Sequence, residues 1–309
     1  MNAPTNIHIQ GEEHWTKKGD IKLFLWEKRR PQNTAERGTV LFVHGSSMAS
    51  QPTFDLQVPG RPSAMDYFVS QGFDTWSVDM EGYGRSDKEH GDGHVADGAD
   101  DLKAATDYIF KTRNTGPLMV YGISSGALRA ALFAQRHPDR VKRLALDAHV
   151  WTGEGSPTLA ERKKKLPELT KTKRRPINRA FVRSIFERDH PGTADDNVIE
   201  AFADHILQLD DSIPNGTYID MCLHLPVVDP TKITVPTIIM RGEYDGIASM
   251  TDLIKFFEAL PNPDKQFAVM PGVAHASFHL KIYMIAYHIL LSFFTQPEPI
   301  YRTYGVEKH

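Results

Sequence analysis

Short apolar runs rich in β-branched residues recur along the chain, and stretches with helical spacing lie between them. "IKLFLWE", from Ile21, alternates as an early strand does. "TVLFVHG", from Thr39 to Gly45, is continuously apolar, the pattern of a strand buried on both faces. "FDTWSVD" (ending at Asp79), "LMVYG", "RLALDAHV", "TIIMRG" and "QFAVMPG" read as further strands. Between them, "DGADDLKAATDYIF" places Leu102, Ala105 and Ile109 on one helical face. "HASFHLKIYMIAYHILLSFF" places Phe278, Ile282, Ile285, Ile289 and Phe293 on one stripe and predicts a long final helix. Strand and helix alternating in this way predict an α/β fold: a doubly wound, mostly parallel sheet covered on both faces. Such sheets carry their sites at the carboxyl ends of the strands.

The alternation breaks between residues 151 and 230, where no buried strand is evident and helical segments such as "NRAFVRSIFERD" and "DNVIEAFADHILQL" follow a basic run, "ERKKKLPELTKTKRRP". This region is expected to be a mainly helical cap, inserted into a core made of residues 1–150 and 231–309. The basic run reads first as a solvated helix face, with a funnel for an anionic substrate as the alternative.

Composition narrows the picture. A net charge of −3 provides no general attraction for nucleic acid or anionic membrane. The single cysteine, Cys222, excludes an internal disulfide and suits a reducing compartment. The opening residues show no basic segment leading into an apolar core, so no signal peptide is expected. The most apolar stretch, "IYMIAYHILLSFF", is too short for a bilayer span. A cytoplasmic protein is expected, and its oligomeric state is left open.

The chemistry concentrates at "LMVYGISSGALRAALFA". Here Gly122-Ile123-Ser124-Ser125-Gly126 joins a buried strand directly to a helix, the setting of a G-x-S-x-G nucleophile elbow. Ser124 is the candidate nucleophile, and the Ser125 amide, in the first helical turn, is a free donor. A serine hydroxyl needs a base and a group to orient that base. On this topology they follow in the order acid, then histidine. Asp245 lies just beyond "TIIMRG" and His275 just beyond "QFAVMPG". Glu243 and Asp147 compete for the acid role, and His279 for the base role. The loop after "TVLFV" offers the Ser46 amide as second oxyanion donor, with His44 shaping that loop. Met48, Phe54, Ile123 and Trp151 are candidate pocket-lining residues. No H-E-x-x-H and no dinucleotide-type glycine loop occurs, so neither metal nor cofactor is expected.

From Thr39 to Phe294, the cap excepted, the chain resembles the α/β-hydrolase superfamily. The resemblance rests on His44-Gly45-Ser46, "DMEGYGRSD" from Asp79, the elbow at Ser124, Asp245 and His275. It differs from many members in having Ile123, Glu81 and Ala274 where other residues are common. The resemblance implies a serine hydrolase acting on a small-molecule carboxylic ester, open-chain or a lactone. A thioester, an amide or the C–C bond of a diketone is the alternative for the same triad. A non-catalytic binding protein is the alternative of another class.

Overall fold

The computed structural model describes residues 9–89 and 91–299; the first part of the opening segment read for a signal peptide lies outside them. Eight strands form the main sheet: β1 (Gly11–Lys18), β2 (Ile21–Lys28), β3 (Gly38–Val43), β4 (Phe73–Val78), β5 (Leu118–Ile123), β6 (Val141–Asp147), β9 (Thr237–Gly242) and β10 (Lys265–Met270). Their order is β1-β2-β4-β3-β5-β6-β9-β10. β1 and β2 pair antiparallel, β2 runs antiparallel to β4, and the remaining pairs are parallel.

Burial explains the central run. Val40, Leu41, Phe42 and Val43 of β3 are all fully buried, because helices cover the sheet and leave alternate side chains no exposed face. The covering helices are α1 (Ser50–Phe54), α2 (Ala64–Ser70), α3 (Val95–Arg113), α4 (Ser125–Arg136), α10 (Met250–Ala259) and α11 (Met284–Thr295). Local signals start several of them. Ser63 caps α2 by accepting the Asp66 amide at 3.0 Å, and Ser249 caps α10 by accepting the Asp252 amide at 3.2 Å.

Between β6 and β9 lie α5 (Pro157–Lys164), α6 (Leu166–Leu169), β7 (Arg174–Pro176), α7 (Arg179–Glu187), α8 (Asp196–Leu209), β8 (Ser212–Pro214) and α9 (Gly216–Leu223). The helices α7 and α8 bury complementary stripes, Val182, Ile185 and Phe186 against Val198, Ile199, Phe202 and Ile206. The segment also contains a short antiparallel pair, β7 with β8, where the sequence pattern predicts no strand. Three-residue strands leave too little periodicity to be read.

Two other differences have clear causes. β1 is an edge strand with only His14 buried, so its pattern is too polar to predict a strand. The final helix starts at Met284, not near His275. The intervening segment makes a tight turn at Ser277–His279. There Phe278 drops into an aromatic cluster, stacking on Tyr121 at 4.5 Å and lying 6.3 Å from Phe54. Its apolar spacing mimics a helix while serving core packing. Among the described residues no helix is long and apolar enough to cross a membrane.

Candidate active site

The strand β5 ends at Ile123, and α4 begins at Ser125. Ser124, between them, has φ 57° and ψ −127°, a conformation that costs a non-glycine residue strain. Its neighbours give that turn the space it needs. A Cβ on Gly122 would lie 2.4 Å from the Gly126 carbonyl oxygen, and one on Gly126 would lie 2.2 Å from that of Val43. Only glycine permits the strand, the helix and the β3 loop to approach so closely. The Ser124 amide donates to the Asp147 carbonyl at 2.9 Å, which secures the elbow to β6.

The side chains form a chain of contacts. The Ser124 Oγ and His275 Nε2 are 2.9 Å apart, and His275 Nδ1 is 2.9 Å from Asp245 Oδ1. Asp245 Oδ1 also accepts the Ile247 amide at 3.0 Å. Burial works to raise the Asp245 pKa. The adjoining His275 and the Ile247 amide outweigh it and hold the carboxylate below its ordinary range. Asp245 is thus kept as an anion beside the imidazole.

The competing residues are engaged elsewhere. The Asp147 carboxylate accepts Tyr121 Oη at 2.7 Å and the Ser277 hydroxyl, and burial pushes its pKa up to about 7. Glu243 accepts the Gly272 amide at 2.8 Å. His279 sits against Phe202, ring centres 4.7 Å apart, and burial lowers its pKa to about 3.

The loop after β3 lies against the elbow. A Cβ on Gly45 would be 3.7 Å from Ser124 Oγ. Among the described residues the Ser46 amide donates to no acceptor, and Ser125 is the first residue of α4, where amides lack intrahelical partners. His44 braces this loop: Nε2 accepts the Met80 amide at 3.0 Å, and Nδ1 lies 2.6 Å from the Gly45 oxygen. Burial, aided by the Arg129 charge, lowers its pKa to about 3 and keeps it neutral. Asp79 accepts the amides of Ser50 and Arg85 at 2.7 and 3.0 Å, closing the glycine-rich turn over the same edge.

The four candidate lining residues are placed less uniformly. Ile123 adjoins the elbow, and Met48 is nearly buried in the β3 loop. Phe54 is wholly buried on Phe42, ring centres 5.0 Å apart, so it packs the core and has no surface to offer a ligand. Trp151 donates Nε1 to the Val228 oxygen at 3.2 Å and packs on Phe256. Two cavities, the larger of which reaches the residue after Asp245, have other walls. One of about 510 Å³ is bounded by Arg162, Lys165, Phe181, Arg188, Tyr218 and Gly246; a second, of about 310 Å³, shares Arg162, Lys165, Phe181 and Tyr218. Sequence reasoning misses these residues one by one, and only the basic run hints at them.

Among the described residues two groups have donor atoms close enough for a metal: Glu12, His14 and Glu27, and Asp189, Asp245 and His275. Each already holds ion pairs. Arg113 lies between Glu12 and Glu27, while Arg188 pairs with Asp189 at 3.3 Å. These pairs and the His275–Asp245 contact engage most of the donor atoms, while Asp245 Oδ2 has no hydrogen-bond partner among the described residues.

A family model described as serine aminopeptidase, S33, matches residues 34–279. The chain belongs to this family of α/β hydrolases. Solved structures of the same fold include a thermophilic esterase from Thermogutta terrifontis, at 21% identity and TM-score 0.66, covering 93% of this chain and 100% of that one. An esterase from Exiguobacterium antarcticum aligns at 18% identity and TM-score 0.67, covering 91% and 99%. An epoxide hydrolase from Vigna radiata aligns at 16% identity and TM-score 0.66, covering 92% and 97%. At identities this low the likeness of this S33-family hydrolase to each is one of fold. No curated protein matches the sequence.

Proposed function

We propose that this hydrolase cleaves carboxylic esters, open-chain or cyclic, through an acyl-enzyme on Ser124. The observation that carries the proposal is the unbroken contact chain from Ser124 Oγ through His275 to Asp245. His275 Nε2 takes the hydroxyl proton as Oγ attacks the carbonyl carbon. Asp245 holds the other ring nitrogen, Nδ1, protonated, and stabilises the imidazolium that forms. The Ser46 and Ser125 amides receive the oxyanion. His275 then protonates the leaving alcohol, and water deacylates the enzyme by the reverse route. These side chains complete the reaction and call for neither metal nor cofactor. In this reading the segment 151–230 is the cap that walls the substrate cavity, and the protein is cytoplasmic.

The family's name makes an amide substrate the second reading. An aminopeptidase must receive a free ammonium group. Around the two cavities Arg162, Lys165, Arg175 and Arg188 outnumber Glu161, Glu168 and Asp189, a balance that disfavours a cation and supports the ester.

A fluorophosphonate probe and a graded series of p-nitrophenyl esters test the proposal on wild type and Ser124→Ala. Labelling of Ser124 is expected, with ester turnover lost by about 10⁴-fold or more in the variant. Unlabelled Ser124, or undiminished turnover in Ser124→Ala, overturns it. Comparing an ester and an amide of one acyl group separates the two bond classes.

A further inference from the structure

The inner face of the 151–230 segment gathers positive charge around one tyrosine. The guanidinium of Arg162, from α5, lies 3.7 Å from the centre of the Tyr218 ring, and that of Arg175, from β7, lies 3.6 Å from it. Arg188, at the end of α7, borders the same cavity. Burial works to raise the Tyr218 pKa, yet the charges of Arg162, Arg175 and Arg188 bring it down to about 7. A field strong enough to loosen a phenolic proton favours an anion at that place.

Arg162 is the least satisfied member. It is only 8% exposed, and its hydrogen-bond partner is the Met221 sulfur at 3.3 Å. Among the described residues it has no ion pair, although a buried guanidinium ordinarily has a carboxylate. The nearby acids are committed: Glu161 pairs with Lys164, and Asp189 with Arg188. Arg175 directs its donors to the carbonyl oxygens of Ser46 and Pro214 and to Asn215. Lys165 and Glu168, which also line these cavities, are exposed to solvent, so Arg162 is the buried charge there that lacks a carboxylate among the described residues.

The place is adjacent to the reacting groups. Tyr218 Oη is 3.1 Å from Ser47 Oγ, next to the Ser46 amide. Gly246 follows Asp245 directly and lines the larger cavity. Donor atoms of Asp189, Asp245 and His275 lie within 4.8 Å of one another.

We propose that the substrate carries a free carboxylate in addition to its ester, and that Arg162 binds this carboxylate in the cap cavity. This rests on the serine-hydrolase reading of the same site. A planar carboxylate accepts two hydrogen bonds from one guanidinium, which matches the donors that Arg162 leaves unused. The apolar walls, Phe181 and the Tyr244 ring, would then hold the carbon chain that joins carboxylate to ester.

Titration of released acid at constant pH tests this with three esters of matched length: monoethyl adipate, diethyl adipate and ethyl hexanoate. Wild type is expected to prefer the monoanion over both neutral esters by about tenfold or more in kcat/KM, chiefly through KM. In Arg162→Met the ratio of monoanion to ethyl hexanoate should fall by about tenfold, and Arg162→Lys should restore part of it. The ratio is independent of how much enzyme folds. If Arg162→Met yields no folded protein, Arg162→Gln, which keeps a polar head without the charge, carries the same ratio test. Equal or faster turnover of the neutral esters by a wild type whose Ser124 takes the fluorophosphonate label overturns the carboxylate site and leaves the serine hydrolase standing. A ratio unchanged in the variants also overturns it. An unlabelled Ser124 without turnover of any ester overturns both.

Discussion

Ser277 donates its hydroxyl to the carboxylate of Asp147, and thereby ties the loop that carries His275 to the end of β6. Tyr121, from β5, donates to the same oxygen. Burial lifts the Asp147 pKa to about 7 while these two donors oppose it. Asp147 thus anchors the loop instead of facing the imidazole. Ser277→Ala should lower kcat by about tenfold with little change in KM, because a small misplacement of His275 is costly at the proton-transfer step. The rate of fluorophosphonate labelling should drop in parallel. A labelling rate equal to wild type would show that the tie does not position the histidine.

Gly126→Ala tests the elbow. The added Cβ would meet the Val43 oxygen at 2.2 Å and the His44 oxygen at 2.6 Å, both of them backbone. We expect a stability loss of at least about 1–3 kcal/mol, the usual cost of overpacking, and loss of the proposed esterase activity beyond it. Thermal unfolding and p-nitrophenyl ester turnover measure the two effects. A variant with wild-type stability would refute this close approach.

Lys28 is 1% exposed, and its ammonium lies 2.7 Å from Asp55 and 2.7 Å from Asp66. Removing it leaves two buried carboxylates facing one another. Lys28→Met should therefore cost about 3–5 kcal/mol in urea unfolding at pH 7, the range for breaking a buried pair from one side. The double replacement Asp55→Asn with Lys28→Met should recover part of that loss.

Acid should destabilise the fold below about pH 6.5. Burial holds His44 and His279 down to about 3 and His149 to about 4. In the unfolded chain a histidine protonates near pH 6.5. Between these limits the unfolded state binds protons that the folded state does not. The histidines' share of stability is therefore complete above about pH 6.5 and is lost as pH falls, by up to about 1.4 kcal/mol per histidine per pH unit, while Asp147 and Asp101, raised to about 7 and about 6, offset part of that loss. Among the described residues His149 also finds no partner for either ring nitrogen, and it packs on Phe256 at 4.7 Å. His149→Leu should raise stability at pH 5 by about 1–3 kcal/mol and flatten the slope. Urea midpoints at pH 7.5, 6 and 5 would show whether it does.

Features set by local pattern are legible in the amino-acid order itself. Val40–Val43 announce a doubly buried strand, and the glycines around Ser124 announce a turn that only close packing requires. What depends on distant contacts is not legible there. Nothing near Asp147 in the sequence says that Tyr121 and Ser277 occupy its carboxylate, so three acids remain open on sequence alone. Phe54 has the character of a pocket residue, and the aromatic cluster beneath β3 claims it instead. The basic run reads as solvated, and Lys163, Lys164, Lys171 and Lys173 are indeed exposed. Arg162, in the same run, turns inward because α5 packs on α9 and brings it to Tyr218.

The attachment of α9 limits how the 151–230 segment can move. Asp220 accepts the Val95 amide at 2.8 Å and lies 2.9 Å from His94 Nδ1. The Gly216 amide donates to the Asp92 oxygen at 2.6 Å, and Arg129 reaches Thr217 at 2.9 Å. Swinging this end outward would sever all of them together, at roughly 1 kcal/mol apiece. The helix α9 is therefore pinned to the start of α3 and to α4, and rotating side chains around it costs less than rocking the whole segment.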